Sequence, residues 1–364
     1  MLSATAKRNI SRIIPYAFIW LIFSLVYTLL EKGLLDPLDY YPSTGNPYNS
    51  ARNFFVTPLA ALLTGFLIGA MEVFYFNRWF MKRSFGQKIL YKSLIYFILI
   101  LFFLLLLTVF ANIFELKTSF LDKVIWRNTW LFLTNYSFVS VAVYMATIIF
   151  ITQFYAEVSE NMGQAVLSHF FTGKYHQPTE EERIFMFLDM KSSTTIAERL
   201  GHVKYFEMLS AYYADISNPV IQYAGEIYQY VGDEMVVSWK LEKGLKDNNC
   251  LQCFFAMKTA LEQQADKYQG KFGVCPGFKA GFHYGKVTTG EIGIIKKDII
   301  FTGDVLNTTA RIQSLCKSYD VDLLISGELL QRLSIKPPFA IRNLGETALR
   351  GREEKVQLYT IYRQ

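Results

Sequence analysis

Two aspartates lie in short motifs where their carboxylates could bind a metal ion. Asp189 ends the apolar run RIFMFLDM, and Asp233 occupies the turn VGDEM between the strand-like runs GEIYQYV and MVVSW. Taken singly, each aspartate is typical of a helix cap or a turn. Two carboxylates side by side repel each other unless a cation bridges them. The pair therefore predicts a divalent metal site formed by Asp189 and Asp233.

A helix start follows Asp189 directly and adds a phosphate-binding group. Ser193 and Thr194 lie at this helix start. The backbone N–H groups at a helix N-terminus attract phosphate, because they lack partners within the helix. We therefore expect Ser193 and Thr194 to contact a phosphate-bearing substrate beside the metal site.

The elements that must position these residues begin at Arg183. From there, short β-rich runs alternate with helices, and the run DVLNTTARIQ opens a third helix near Asp304. This alternation predicts helices packed on a sheet, in a domain of about 180 residues, which is a usual size for one domain. The predicted domain covers residues 183–364.

The chain before residue 155 is much more apolar than the rest. The sequence has 364 residues and 52% hydrophobic content, with a positive mean hydropathy. An α-helix needs about 20 apolar residues to cross a bilayer. Four runs approach or exceed that length, and they predict an all-α, four-helix transmembrane domain over residues 1–155: Ile13 to Leu30, Phe54 to Phe76, Leu94 to Phe114 and Trp130 to Tyr155.

Basic residues predict the orientation of these spans. Lys7, Arg8 and Arg12 precede the first span, and the second loop is also rich in lysine and arginine. Such loops stay on the cytoplasmic side, so both termini are expected in the cytoplasm of a multi-pass protein of the cell (inner) membrane. The first span is too long for a cleaved signal peptide. The net charge of +6 then needs no nucleic acid as a partner.

Glu72 is the one acidic residue within the predicted spans. An acidic residue inside a membrane is a functional candidate by default. Glu72 lies near the cytoplasmic end of its span and close to Arg78, so we expect it at the membrane interface.

Residues 156–182 form the predicted linker between the two domains. The segment starts as a helix of mixed polarity, and this helix stops near Gly173 and Pro178. Such a segment is typical of either a signalling helix or a solvated tether.

All four cysteines lie after the spans, in the half of the chain that is predicted to be cytoplasmic. Thiols stay reduced in the cytoplasm, so we expect no disulfides. Cys250 and Cys253 have helical context, which favours buried core thiols over a zinc site.

The residues from Arg183 onward resemble the catalytic domain of class III nucleotide cyclases, the adenylate and guanylate cyclase superfamily. FLDMKSST is similar to that family's first metal motif, VGDEMVVSW to its second, and GDVLNTTARIQ to its transition-state motif. The resemblance covers roughly the last 180 residues. It implies an α+β domain with a ferredoxin-like βαββαβ core, working as a head-to-tail homodimer with shared active sites.

The resemblance also implies an activity, that of a phosphorus-oxygen lyase. The ribose 3′ hydroxyl of a nucleoside triphosphate would attack the α-phosphate, giving a 3′,5′-cyclic nucleotide and pyrophosphate. Two Mg²⁺ or Mn²⁺ ions per active site would be bound by Asp189, Asp233 and the carbonyl of Met190. One ion lowers the pKa of the 3′ hydroxyl, and the other holds the β- and γ-phosphates.

Three further residues acquire roles from the same resemblance. Asn307 and Arg311 lie four apart on one helix and so share a face. Asn307 would orient the ribose, and Arg311 would reach the α-phosphate, where charge builds in the transition state. Arg350 falls where the family keeps a lysine that binds the triphosphate, with Arg352 close enough to assist.

Two positions depart from the family's pattern and leave the base open. Adenylate cyclases recognise adenine with a lysine and an aspartate at the places that hold Gln229 and Ile300 here. Guanylate cyclases place glutamate at the first of them. An amide both donates and accepts hydrogen bonds, so Gln229 fits an adenine, a guanine or a pyrimidine edge. ATP is the leading substrate on family frequency, with GTP and the pyrimidine triphosphates as alternatives.

The predicted function is therefore a membrane-bound adenylate cyclase. Two other kinds of function are alternatives to this prediction. A nucleotide-binding pseudoenzyme would be expected to lose its metal or transition-state residues, yet Asp189, Asp233, Asn307 and Arg311 are present. A four-helix transport component would need polar residues in its spans, which contain few. The base, the stimulus and the receptor of the cyclic nucleotide stay open.

Overall fold

The computed structural model describes residues 4–35, 37–38, 40–42, 48–76, 79–80, 83–349 and 354–364. The chain folds as two compact units, one within Ala6–Ser168 and one within His169–Gln364.

The first unit is helical. Its elements are α1 (Ala4–Leu35), α2 (Ser50–Met71) with a following π-helical turn (Glu72–Phe76), α3 (Phe85–Leu116), α4 (Lys123–Leu133) and α5 (Tyr136–Met162). In the described part of the chain, four helices are long and apolar enough to cross a membrane: Thr5–Leu35, Ser50–Phe76, Phe85–Phe114 and Tyr136–Met162. These four helices agree with the four predicted spans.

The last predicted span is divided in the structure. Trp130 belongs to the short helix α4, which ends at Leu133. A new helix starts after Asn135, whose side chain accepts a hydrogen bond from the backbone N–H of Ser137 at 3.0 Å. An asparagine cap of this kind satisfies a helix N–H group that has no partner within the helix. The span therefore begins at Tyr136 rather than at Trp130.

Glu72 is buried in a cluster of charged side chains that the sequence analysis did not predict. Its side chain is 1% exposed and forms an ion pair with Lys92 of α3, whose side chain is 0% exposed. The Lys92 ammonium also donates to Glu157 of α5 at 2.8 Å, and Tyr96 donates to Glu72 at 3.3 Å. Buried charges are tolerated when they are paired in this way. The cluster therefore joins the π-helical turn after α2 to α3 and α5 through polar contacts.

The second unit is built on one mixed sheet. Its strands are β1 (Thr179–Met190), β2 (Glu226–Val231), β3 (Glu234–Lys240), β4 (Phe278–Ile292), β5 (Asp298–Thr302), β6 (Leu323–Ser326), β7 (Phe339–Ala348) and β8 (Lys355–Arg363). The strand order is β2-β3-β1-β4-β6-β8-β7, and β5 pairs with β4 off this path. The pairs β2·β3, β3·β1 and β1·β4 are antiparallel, whereas β4 and β6 are parallel.

Helices connect these strands. In chain order they are α6 (Gln164–Thr172) before β1, then α7 (Ser193–Leu200), α8 (His202–Gln222), α9 (Leu241–Leu245), a short 3₁₀ turn (Lys246–Asn248), α10 (Asn249–Glu262), α11 (Ala265–Phe272), α12 (Asp304–Ser314) and α13 (Gly327–Leu330). Most of them are short, and α8 and α10 are the long helices between β1 and β4.

The alternation of side chains along β1 separates two cores. Ile184, Met186 and Leu188 point into one core with residues of α8 and α10, and Phe185 and Phe187 point into another with Val305 of α12. A period of two is what a strand covered on both faces requires. Cys250 and Cys253 of α10 are buried in the first core, as predicted.

Gly281 of β4 lets α12 lie close to the sheet. A Cβ atom at this position would come within 2.4 Å of the backbone nitrogen of Gln313 and 2.6 Å of its Cα atom. Real Cβ atoms do not approach backbone atoms so closely, so a side chain would force α12 away from β4. The glycine therefore sets the depth at which α12 packs.

We expect Gly281→Ala to lower the melting temperature of the second unit by about 5 °C, because overpacking of this kind costs roughly 1–3 kcal/mol. Thermal unfolding of the full chain measures the effect. Gly270→Ala is the matched control, because a Cβ atom there meets nothing within 4 Å. Equal melting temperatures of the Gly281→Ala and Gly270→Ala proteins would contradict the close packing of α12.

Candidate active site

The carboxylates of Asp189 and Asp233 meet at one end of the sheet. Asp189 is the next-to-last residue of β1, and its Cα partner on β3 is Glu234. Asp233 immediately precedes Glu234, in the tight turn between β2 and β3. Tyr213 of α8 holds this turn, since its hydroxyl donates to the carbonyl of Gly232 at 2.9 Å. The antiparallel pairing of β1 and β3 therefore brings the two predicted metal ligands together.

The two carboxylates repel each other in the structure. Partial burial raises the pKa of Asp189, and the charge of Asp233 raises it further. The pKa of Glu234 is also raised, by burial first and then by the charges of Asp189 and Asp233. This end of the sheet thus has an excess of negative charge. A bound cation would relieve the repulsion.

Lys279 supplies a counter-charge that the sequence analysis did not identify. Its ammonium nitrogen lies 3.3 Å from Oδ2 of Asp189 and opposes the rise in the pKa of that carboxyl. Lys279 is the Cα partner of Asp189 in the pairing of β1 with β4. In the sequence, Lys279 is only a basic residue at the start of the run KAGFHYG. Its position opposite Asp189 follows from the register between β1 and β4.

Further donors for a metal are sparse around the pair. Among the described residues, no group of three or more His, Cys, Asp and Glu could hold a metal ion. The side chain of Met190 is buried in the core at 2% exposure, so this residue could contribute its backbone carbonyl. Any metal bound here would therefore take its other ligands from Met190, water or a substrate.

The predicted phosphate-binding helix start is present. Helix α7 begins at Ser193, and Ser192 before it has a left-handed backbone with φ of 55°. Ser193 is half-buried and Thr194 is exposed. The N-terminus of α7 therefore lies directly after the carboxylate strand and is open to solvent.

The two candidate base-contacting residues lie on strands that touch each other. Gln229 of β2 is exposed, and Ile300 of β5 is half-buried. Their neighbours Tyr228 and Phe301 make the contact: the ring centroids are 4.8 Å apart, and the backbone N–H of Phe301 donates to the Tyr228 hydroxyl at 3.3 Å. The structure thus joins strands β2 and β5 next to Gln229 and Ile300.

Asn307 and Arg311 both lie on α12, as their spacing predicted. Asn307 is exposed, and the Nη1 atom of Arg311 is buried without a hydrogen-bond partner. In the described ranges, neither residue makes a hydrogen bond or an ion pair with Asp189 or Asp233. Arg350 and Arg352 lie outside the described residues. Within the described residues, polar contacts therefore do not connect the two candidate residues of α12 to the carboxylates.

Comparison with known proteins identifies the domain that contains this site. Residues 175–363, slightly more than half of the chain, match the family model of the adenylate and guanylate cyclase catalytic domain. The chain is 37% identical over 210 residues to adenylate cyclase 2 of Rhizobium meliloti (strain 1021), covering 57% of each protein. It is 25% identical over 187 residues to an adenylate cyclase of Anabaena cylindrica, covering 48% of this chain and 36% of that protein.

A solved structure of a bacterial light-regulated adenylyl cyclase is also similar. The TM-score is 0.54 at 20% identity, covering 63% of this chain and 67% of the other. The likeness shows a shared fold. The chain spans about half or less of the length of the two curated relatives, so the match is confined to part of each protein. The chain belongs to the adenylate and guanylate cyclase catalytic domain family.

Proposed function

We propose that this protein is a membrane-bound adenylate cyclase, which converts ATP to 3′,5′-cyclic AMP and pyrophosphate. The observation that carries the proposal is the paired carboxylates of Asp189 and Asp233, with the raised pKa of Asp189. They lie in a chain of the cyclase family, and its 37% identical relative is named an adenylate cyclase. A pair of repelling carboxylates at a solvent-open sheet end is suited to binding divalent cations.

The residues present fit two Mg²⁺ or Mn²⁺ ions. All the candidate donors are oxygens, which these hard cations prefer. Asp189, Asp233 and the carbonyl of Met190 would hold the ions. When bound, they would lower the pKa of the ribose 3′ hydroxyl and neutralise charge on the phosphates.

The other residues bind and orient the triphosphate. In the proposed reaction, the 3′ oxygen forms a bond to the α-phosphorus, the bond to the β-phosphate oxygen breaks, and the 3′ proton passes to solvent. Asn307 orients the ribose, and the guanidinium of Arg311 faces the charge that builds on the α-phosphate. The Nη1 atom of Arg311 has no hydrogen-bond partner among the described residues, which supports a role in binding a ligand. Arg350, Ser193 and Thr194 bind the remaining phosphates.

The active form is a head-to-tail homodimer with two shared sites. Support comes from the described contacts of one chain, in which no hydrogen bond or ion pair joins Asn307 or Arg311 to the carboxylates, and from the unpartnered Nη1 atom of Arg311. A partner's α12 would then complete the site around Asp189 and Asp233. The order β2-β3-β1-β4, with antiparallel pairing throughout, supports the ferredoxin-like core on which this assembly is based.

The four apolar helices anchor the enzyme in the cell (inner) membrane, with both termini in the cytoplasm. The support is their length and hydropathy, together with the basic residues before the first span. This orientation places the catalytic domain where ATP is available.

The test is turnover by the purified full-length protein with ATP, GTP, CTP or UTP and Mn²⁺, with products identified by mass. Cyclic AMP is expected to dominate, and chelation of the metal should stop its formation. Dominant cyclic GMP or a cyclic pyrimidine nucleotide would overturn the choice of ATP. That result would indicate that the exposed Gln229 recognises a base other than adenine. Nucleotide binding without any cyclic product would instead indicate a receptor.

A further inference from the structure

A buried arginine on β1 forms a cluster outside the catalytic residues. The side chain of Arg183 is 1% exposed and pairs with two carboxylates. Its Nη1 donates to Glu181 at 2.8 Å, and its Nη2 donates to Glu226 and, at 3.1 Å, to Ser238. An arginine is rarely buried unless its charge is paired in this way. We call Arg183, Glu181, Glu226, Ser238 and Phe301 the Arg183 cluster.

The guanidinium of Arg183 packs on β5. Its central carbon lies 4.6 Å from the centre of the Phe301 ring, within the range of a cation–π contact. Phe301 also contacts Phe185 and Tyr228, with ring centroids 5.5 and 4.8 Å away. In the described sheet, β5 pairs with β4 alone. The side chain of Phe301 therefore gives β5 contacts beyond its pairing with β4.

The two candidate base-contacting residues lie next to the rings of Phe301 and Tyr228. Ile300 precedes Phe301 on β5, and Gln229 follows Tyr228 on β2, where the pairing with β3 shifts register. The hydrogen bond from Phe301 N–H to the Tyr228 hydroxyl fixes the two strands relative to each other. A shift of the Phe301 ring would therefore move Ile300 and loosen the position of Gln229.

The other end of the cluster is tied to the segment that enters the domain. Tyr175 lies three residues after the end of α6 and is 3% exposed. Its hydroxyl donates to Glu181 at 2.8 Å, and its carbonyl accepts the backbone N–H of Glu291 on β4 at 3.0 Å. Contacts thus run without a gap from Tyr175 through Glu181 and Arg183 to Phe301.

We propose that Arg183 and Phe301 are positioning residues that make nucleotide binding depend on the linker segment at Tyr175. The inference rests on the proposed function, since it takes Gln229 and Ile300 as the residues that face the base. Affinity for a ligand rises when its contacts are held in place before binding. The linker therefore sets the KM for the nucleotide and the preference between bases.

The cluster is separate from the metal-binding end of β1. Arg183 and Asp189 are six residues apart on one strand, about 20 Å at the usual rise. A change in the cluster is thus expected to alter base contacts and to leave the chemistry at the carboxylates in place. This separation predicts a change in KM with a nearly constant kcat, which a general loss of folding would not produce.

The test uses Tyr175→Phe and Phe301→Leu in the full-length protein, with kcat and KM measured for ATP and GTP. Loss of one buried hydrogen bond is expected to raise the KM for ATP about threefold to tenfold. The ratio of kcat/KM for ATP to that for GTP should change, with kcat within about twofold of the original. Tyr319→Phe is the matched control, because its hydroxyl pairs with Thr347 in a different core cluster.

A double-mutant cycle tests whether the contacts act as one path. Arg183→Lys keeps the positive charge but loses the planar guanidinium group, which binds two carboxylates at once. If the contacts form one path, its effect on KM should not add to that of Tyr175→Phe. An unchanged KM and base ratio in folded, active variants would overturn the cluster's role. So would a fall in kcat alone. Failure of the original protein to form any cyclic nucleotide would instead contradict the proposed function.

Discussion

Replacement of Asp233 by asparagine is expected to abolish cyclic nucleotide formation and, at the same time, to raise the melting temperature of the metal-free protein. The activity effect follows from the loss of one of the two carboxylates proposed to hold the metal ions. Loss of electrostatic stabilisation of this kind lowers turnover by at least about a hundredfold. Asparagine has nearly the same shape as aspartate, so the turn between β2 and β3 should be retained.

The stability effect follows from the repulsion between Asp189 and Asp233. Burial and the charge of Asp233 raise the pKa of Asp189 in the folded state. A folded pKa above the unfolded value stabilises the fold at low pH, and this stability is lost as pH rises through the folded pKa. At neutral pH the ionised pair therefore destabilises the metal-free fold, and Asp233→Asn removes that repulsion.

Thermal unfolding with a chelator at neutral pH measures the gain. At a pH of about 3, where the Asp189 carboxyl with its raised pKa is largely protonated, the difference between the two proteins should shrink. Asp266→Asn is the control, because Asp266 is exposed in the first turn of α11 and should change neither quantity. Substantial turnover by Asp233→Asn would refute the metal assignment. A lower melting temperature in chelator would refute the repulsion.

Two inactive variants are expected to restore activity when their chains combine. Asp189→Asn removes a metal ligand, and Arg311→Ala removes the cation proposed for the α-phosphate. In the structure, Arg311 makes no hydrogen bond or ion pair with Asp189 among the described residues, and its Nη1 atom is unpartnered. If each site takes its carboxylates from one chain and its α12 from the other, a mixed dimer keeps one intact site.

The expected recovery follows from counting sites in a symmetric dimer. Random pairing of equal amounts gives half mixed dimers, each with one intact site of two. Activity should therefore reach about a quarter of that of the unaltered protein in the unseparated mixture, and about half in purified mixed dimers. The chains should be co-expressed with different tags, and mixed dimers should be purified before assay. Turnover with ATP and Mn²⁺ is then compared with that of each variant alone.

A second mixture is the matched control for complementation. Asp189→Asn and Asp233→Asn alter the same part of the site, so their mixed dimers should contain no intact site and should stay inactive. Recovery in this control, or none in purified dimers of Asp189→Asn with Arg311→Ala, would contradict sites shared between chains. The comparison separates shared sites from a general stabilisation of one chain by another.

Local patterns in the sequence predict much of the catalytic machinery. A carboxylate at the end of an apolar run placed Asp189 at the end of a strand, and a Gly-Asp turn placed Asp233 between two others. The spacing of Asn307 and Arg311 placed both on one helix. Such features follow from the periods of strands and helices, which depend on neighbouring residues. The four long apolar helices were predicted for the same reason, because length and hydropathy are also local properties of the sequence.

Contacts between distant segments were decided by the tertiary structure. Lys279 faces Asp189 because of the register between β1 and β4, and Glu72 reaches Lys92 because two helices pack together. Sequence alone placed Glu72 at the interface, since nothing local indicates a partner twenty residues away. The periods of strands and helices are local, so the sequence by itself determined which two carboxylates are candidates for metal binding and which elements hold them. Register and helix packing depend on the whole fold, so only the tertiary structure determined which charges meet.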